Sequence, residues 1–110
     1  MTSGSDVSEK GWDNSEAIHA AREAVGIVRH FVDHPEEVKV DVREGAMRVI
    51  VELHTYPRDV GQVIGRNGHL MASLRAFLSA IAGRYKTRID FDYVTEEENK
   101  RRQERARTTA

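Results

Sequence analysis

Residues 57–68 read Pro57-Arg58-Asp59-Val60-Gly61-Gln62-Val63-Ile64-Gly65-Arg66-Asn67-Gly68. Pro57 suits the first turn of a helix, where its missing N–H would have had no partner, and a short helix is predicted over about Arg58 to Ile64. Gly65 breaks it, and the next helix starts near Gly68 or His69. That second helix shows an apolar face of Leu70, Leu74, Phe77, Leu78 and Ile81 and ends around Gly83. Two glycines flanking two polar residues let the backbone turn tightly and approach a ligand, because neither projects a Cβ. The loop runs straight into a helix N-terminus, where free N–H groups and the positive end of the dipole favour a phosphate. Arg66 adds a positive charge at the tip, and Asn67 tolerates left-handed backbone angles. The plainer alternative is a helix C-cap followed by a turn.

Upstream, Ile18, Ala21, Val25, Val28 and Val32 recur every three or four residues, the stripe of an amphipathic helix. Asp13 and Glu16 have capping-box spacing, and Pro35 forces a stop near His34. Val38, Val40 and Val42 then alternate with Lys39, Asp41 and Arg43 as a half-buried strand. Glu44-Gly45 reads as the turn. A second strand follows, with Met47, Val49, Val51 and Leu53 on one face and Arg48, Ile50, Glu52 and His54 on the other. So short a connection makes the pair an antiparallel hairpin. Ile50 interrupts an otherwise polar face.

Downstream, Ile89, Phe91 and Tyr93 alternate with Arg88, Asp90 and Asp92 in a third strand. The order α-β-β-α-α-β implies an α+β domain with a three-stranded sheet and helices on one face. Residues 1–14 show no periodicity, and Trp12 is their only large apolar side chain; they are expected to form a disordered tail. Residues 95–110 are almost wholly polar. Thr95 and Glu98 have capping spacing, and Glu97–Arg101 and Glu98–Arg102 are favourable i,i+4 pairs. A charged helix or tail without an apolar face is expected there.

The 110 residues suffice for one domain. No cysteine is present, which excludes disulfides, thiolate metal sites and cysteine nucleophiles. No apolar run reaches a membrane span and no signal peptide is visible, so a cytoplasmic location is expected. The net charge of −1 alone counts against a nucleic-acid partner. Its distribution does not. Residues 1–56 carry −5, residues 57–89 carry +5 and residues 90–110 carry −1. The positive field coincides with the glycine loop.

Val63 to Gly68, VIGRNG, resembles the signature loop of the K-homology (KH) domain, and the element order matches the type II form of that fold. More narrowly, His34-Pro35-Glu36-Glu37-Val38 and Pro57 through Gly65 resemble the small bacterial single-KH proteins, the KhpA-like family. The resemblance covers roughly residues 16–94, so a KH domain is expected over residues 15–94. It implies single-stranded RNA binding, with Gly65, Arg66, Asn67 and Gly68 clamping the backbone of about four nucleotides. It also implies self-association as a homodimer and pairing with a second KH-containing protein. The implied role is non-catalytic, as a post-transcriptional regulator or RNA chaperone. The alternative is a dimerisation or protein-interaction module with weak RNA binding.

Around the loop, Arg58, Gln62, His69 and Arg75 either extend the phosphate track or form a solvated helix face. Val60 is the candidate for the apolar groove floor, whereas Ile64, Leu70 and Leu74 read as core. Arg84, Lys86 and Arg88 read as cations complementing a helix C-terminus. His30 and His34 share i,i+4 spacing but lack a third ligand, so no metal site and no cofactor are expected. Neither the five histidines nor Ser73 and Ser79 form a recognisable catalytic constellation, and no catalytic residue is assigned. Lys100-Arg101-Arg102 is a candidate basic arm for RNA, but Glu96, Glu97, Glu98 and Glu104 dilute it and it reads as a solvated tail.

Overall fold

The computed structural model describes residues 14–109. Residues 1–13 of the expected tail, with Trp12 and the cap residue Asp13, lie outside the described residues, whereas Asn14, also expected in the tail, is buried and its carbonyl accepts the Ile18 N–H at 2.8 Å. Helix α1 spans Ser15–Gly26 with Asn14 at its cap position. It continues as a 3₁₀ turn over Ile27–His30, so the α-helix stops earlier than Pro35 would require. Strands β1 (Lys39–Gly45) and β2 (Arg48–His54) form the expected antiparallel hairpin. A 3₁₀ turn at Pro57–Asp59 leads into α2 (Val60–Ile64). Helix α3 covers His69–Arg84, β3 covers Arg88–Tyr93, and α4 covers Glu96–Thr109.

The sheet order is β1-β2-β3, with β3 parallel to β2. Parallel pairing needs a crossover, which α2 and α3 supply. The architecture is the expected α+β one: a three-stranded mixed sheet with α1 and α3 packed on it. Strand alternation turns Val49, Val51 and Leu53 inward, where all three are fully buried with Val25, Val28, Val63 and Leu74. Each such side chain contributes about 1.5–3 kcal/mol on burial.

Three local expectations are corrected. The hairpin turns at Ala46-Met47, because Gly45 still pairs with Arg48 across the ladder. Met47 therefore sits at the tip with φ 59° and is exposed instead of opening the buried face. Phe77 and Ile64 are also exposed, at 52% and 41%. Leu74 and Leu78 already fill the contact between α3 and the sheet, and Val63 takes the inward position on α2. Among the described residues, no helix is long and apolar enough to cross a membrane.

Candidate nucleic-acid interface

The glycine loop joins α2 to α3 through a tight turn. The Gly65 N–H donates to the Gly61 carbonyl at 2.9 Å, and the Gly68 N–H donates to the Gly65 carbonyl at 3.0 Å. Gly65 has φ 83° and ψ 169°, a region essentially confined to glycine. A Cβ there would lie 2.8 Å from both the backbone nitrogen and the Cβ of Leu70. Gly68 is also left-handed, with φ 74°, but a Cβ on it would meet nothing within 4 Å. The two glycines thus differ in role: Gly65 lets the loop pack onto the start of α3, and Gly68 keeps the outer side open.

Between them, Asn67 adopts φ 55° and ψ 24°, the left-handed conformation its side chain tolerates. Arg66 and Asn67 are exposed at the tip. Helix α3 starts without a side-chain cap, which leaves first-turn N–H groups for an outside acceptor. Arg58, Arg66 and His69 are exposed and form no ion pair among the described residues. The loop therefore presents backbone donors beside two arginines, Arg58 and Arg66, that form no ion pair among the described residues, the chemistry that an anionic backbone requires.

The remaining candidates divide. Val60, half-buried, and Ile64, exposed, are i,i+4 on α2 and make an apolar shoulder beside the loop. Gln62 accepts the Asp33 backbone N–H at 3.0 Å, so its carbonyl oxygen is engaged in holding the preceding loop. The guanidinium of Arg75 lies 5.2 Å from the centre of the Phe91 ring. It borders a groove of about 350 Å³ between α3 and β3, together with Leu78, Thr87 and Ile89. The groove also holds a buried hydroxyl oxygen, that of Thr87, with no hydrogen-bond partner among the described residues. Arg75 is thus placed along the α3–β3 edge, one stretch of helix away from the loop tip. Arg88 pairs with Asp90 at 3.1 Å, and Arg84 lies over the Tyr85 ring, in line with structural roles. His30 ends the 3₁₀ turn while His34 is drawn to Asp59, so these two histidines do not share a helix face.

Two residues make long-range contacts that the sequence does not show. Asp59 is 2% exposed. Its carboxylate accepts the His34 backbone N–H at 2.9 Å and faces His34 Nδ1 at 3.3 Å, while the His34 ring stacks on Tyr56 at 4.0 Å. This cluster staples the loop after α1 to the entry of α2 and hence sets the origin of the glycine loop. The second is Arg102. It bonds Glu52 at 3.2 Å, together with Asp92, and pairs with Glu98 at 3.5 Å. Burial works against its charge, but the hydrogen bond and field of Glu52, with Asp92 and Glu98, outweigh that and raise its pKa. Asp59 sits in a stretch that reads as surface-charged, and Arg102 in a run that reads as solvated. Only the burial and long-range partners distinguish them.

Comparison with known proteins agrees with this geometry. A family model described as the KH domain of KhpA/KhpB matches residues 22–92. The RNA-binding protein KhpA of Mycobacterium bovis is 41% identical over 58 residues, spanning 53% of this chain and 72% of the relative. That of Leifsonia xyli is 34% identical over 64 residues, spanning 58% and 84%. That of Chlamydia pneumoniae is 31% identical over 70 residues, spanning 64% and 90%. No solved structure matches significantly. With the matched residues running from within α1 to the end of β3 and enclosing the glycine loop, the chain belongs to the KhpA/KhpB KH-domain family.

Proposed function

We propose that this protein binds single-stranded RNA without catalysing a reaction, using Gly65–Gly68 as its phosphate clamp. The observation that carries the reading is the turn itself. Gly65 is locked against Leu70, Gly68 is open to solvent, and the uncapped start of α3 lies beside an unpaired Arg66. The residues 15–94 act as the RNA-binding unit, and relatives named RNA-binding proteins support the ligand class. Phosphates contact the loop, with Arg58 and His69 alongside, and bases lie over Val60. Arg75 engages nucleotides further along the α3–β3 edge, and Gln62 supports the clamp from behind. In the cytoplasm such a module serves as a post-transcriptional regulator or RNA chaperone.

The test is binding of short single-stranded RNA at several salt concentrations, for the native chain and for Arg66→Asp with Asn67→Asp. A loss of at least tenfold in the folded double variant is expected. Undiminished binding refutes the clamp.

A second activity, self-association or pairing with another KH-containing protein, is favoured by a separate surface. Ile27 and Phe77 line a shallow groove of about 730 Å³ between α1 and α3, and Phe31 is exposed just beyond it in the chain. Exposed apolar side chains clustered in this way mark interaction sites. Light scattering of Phe77→Glu measures it: a dimer that survives the substitution places the interface elsewhere.

A further inference from the structure

Helix α4 lies beyond the residues matched by the family model, so membership of the family says nothing about it. It starts on a defined cap, with the Glu98 N–H donating to Thr95 Oγ1 at 3.2 Å. Arg102 then ties it to the sheet face opposite the core. Glu52 and Asp92 are register partners on β2 and β3, and strand alternation turns both away from buried Val51 and Leu53. The helix is therefore tethered to the domain through a half-buried side chain, although the sequence read as a solvated run.

The tether also sorts the charges. Arg102 is used, and with it Glu52, Asp92 and Glu98, while Glu96 and Glu97 stay exposed in the first turn of the helix. From residue 99 onward, Lys100, Arg101, Arg105 and Arg107 remain exposed against a single acid, Glu104. Lys100 and Arg107 are seven residues apart and share a face, about 10 Å from one another. Arg101 and Arg105 flank Glu98, at 3.2 and 3.7 Å. Ala106 is the only apolar residue between Glu96 and Thr109. Protein interfaces draw their affinity from buried aromatic and apolar anchors, and this helix has none. A cationic surface without anchors gains affinity by displacing counterions from phosphates.

We infer that α4 is a second phosphate-contacting element. It engages nucleotides of the same strand beyond the few held at the glycine loop, and so makes affinity depend on RNA length. This inference rests on the RNA reading above. The test uses two oligouridylates, of about 6 and about 20 nucleotides, since the clamp spans about four. The native protein is compared with Lys100→Gln, Arg101→Gln, Arg105→Gln and Arg107→Gln combined, glutamine being a comparable helix former whose retention of structure circular dichroism can verify. The variant should match the native chain on the short RNA and bind the long one about tenfold more weakly. Its plot of log affinity against log salt should be shallower by about 1.5–3, at about 0.7 per lost phosphate contact. Equal binding of the long RNA with an unchanged salt slope overturns the inference and leaves the surface to an acidic protein. An equal loss on both lengths also overturns it, because α4 would then act through the clamp. If the native chain binds neither RNA, the underlying RNA reading falls as well. If Arg66→Asp with Asn67→Asp abolishes binding while the α4 variant binds both RNAs as the native chain does, that reading stands and the α4 inference alone falls.

Discussion

Substituting alanine at each loop glycine in turn separates two demands that the sequence motif merges. At Gly65, alanine meets both a forbidden conformation and a steric block. Backbone angles of φ 83° and ψ 169° cost a non-glycine residue about 1–3 kcal/mol. The added Cβ falls 2.8 Å from the Leu70 nitrogen and Cβ, and forcing such a contact costs about 1–3 kcal/mol more. The obstacle is partly backbone at the first turn of α3, so it cannot be relieved by rotating a side chain. At Gly68 the conformation is left-handed and the space is empty, so only about 1–2 kcal/mol is at stake. We expect Gly65→Ala to lose about 2–6 kcal/mol, centred near 4, against about 1–2 for Gly68→Ala. Urea unfolding followed by circular dichroism reads both as shifts in midpoint at constant m-value. In thermal melts, a loss of about 3 kcal/mol lowers Tm by roughly 12–24 °C, at about 4–8 °C per kcal/mol for a domain of this size. RNA affinity should divide the other way for the fraction that remains folded, since a methyl group on Gly68 stands on the open side that a phosphate approaches. Equal destabilisation by the two substitutions, or a larger loss at Gly68, would refute the packing role assigned to Gly65.

Three further outcomes follow from the remaining geometry. Asp59→Ala leaves the half-buried His34 N–H without its acceptor and should cost about 1–3 kcal/mol in chemical denaturation; a loss under about 0.5 kcal/mol would remove Asp59 from its role as the staple. Arg102→Met should release α4, seen as faster amide exchange over residues 96–109, while stability of the domain changes by no more than about 1 kcal/mol because the pairs are partly exposed; protected α4 amides in that variant would show that something else holds the helix. Burial raises the pKa of Tyr93; its hydrogen bond with Thr55 opposes the shift, and the Asp59 charge adds to it. The folded state then holds this proton more tightly than the unfolded chain, so stability is full below the ordinary phenol range and falls as pH rises through the Tyr93 ionisation. Tyr93→Phe should flatten the alkaline limb of the stability curve, and an unchanged limb would count against this assignment.

Much of the fold was legible because its signals are local. The period-two runs of Val49, Val51 and Leu53 and of Ile89, Phe91 and Tyr93 identify strands and their inward faces without knowledge of the neighbours. Glu44-Gly45 reads as the turn because glycine favours turns, but the turn lies two residues further on. In the structure the ladder continues through it to Arg48. Phe77 lies on the apolar face of α3 and Ile64 reads as core, yet both are exposed. Periodicity reports which side of a helix is apolar, but not whether another element covers that side.

The sequence by itself determined the order of elements, the place of the glycine loop and the concentration of positive charge around it. These depend on backbone freedom, spacing and composition within a few residues. The tertiary structure decided which charges are available. Asp59 is drawn inside by His34, 25 positions away, and Arg102 is tied to Glu52, 50 positions away. Pairings across such separations are set by strand register and by the crossover that brings β3 beside β2, and no local pattern contains them. The same long-range packing leaves Arg66 unpaired at an open turn and makes the charged C-terminal segment a helix fastened to the sheet.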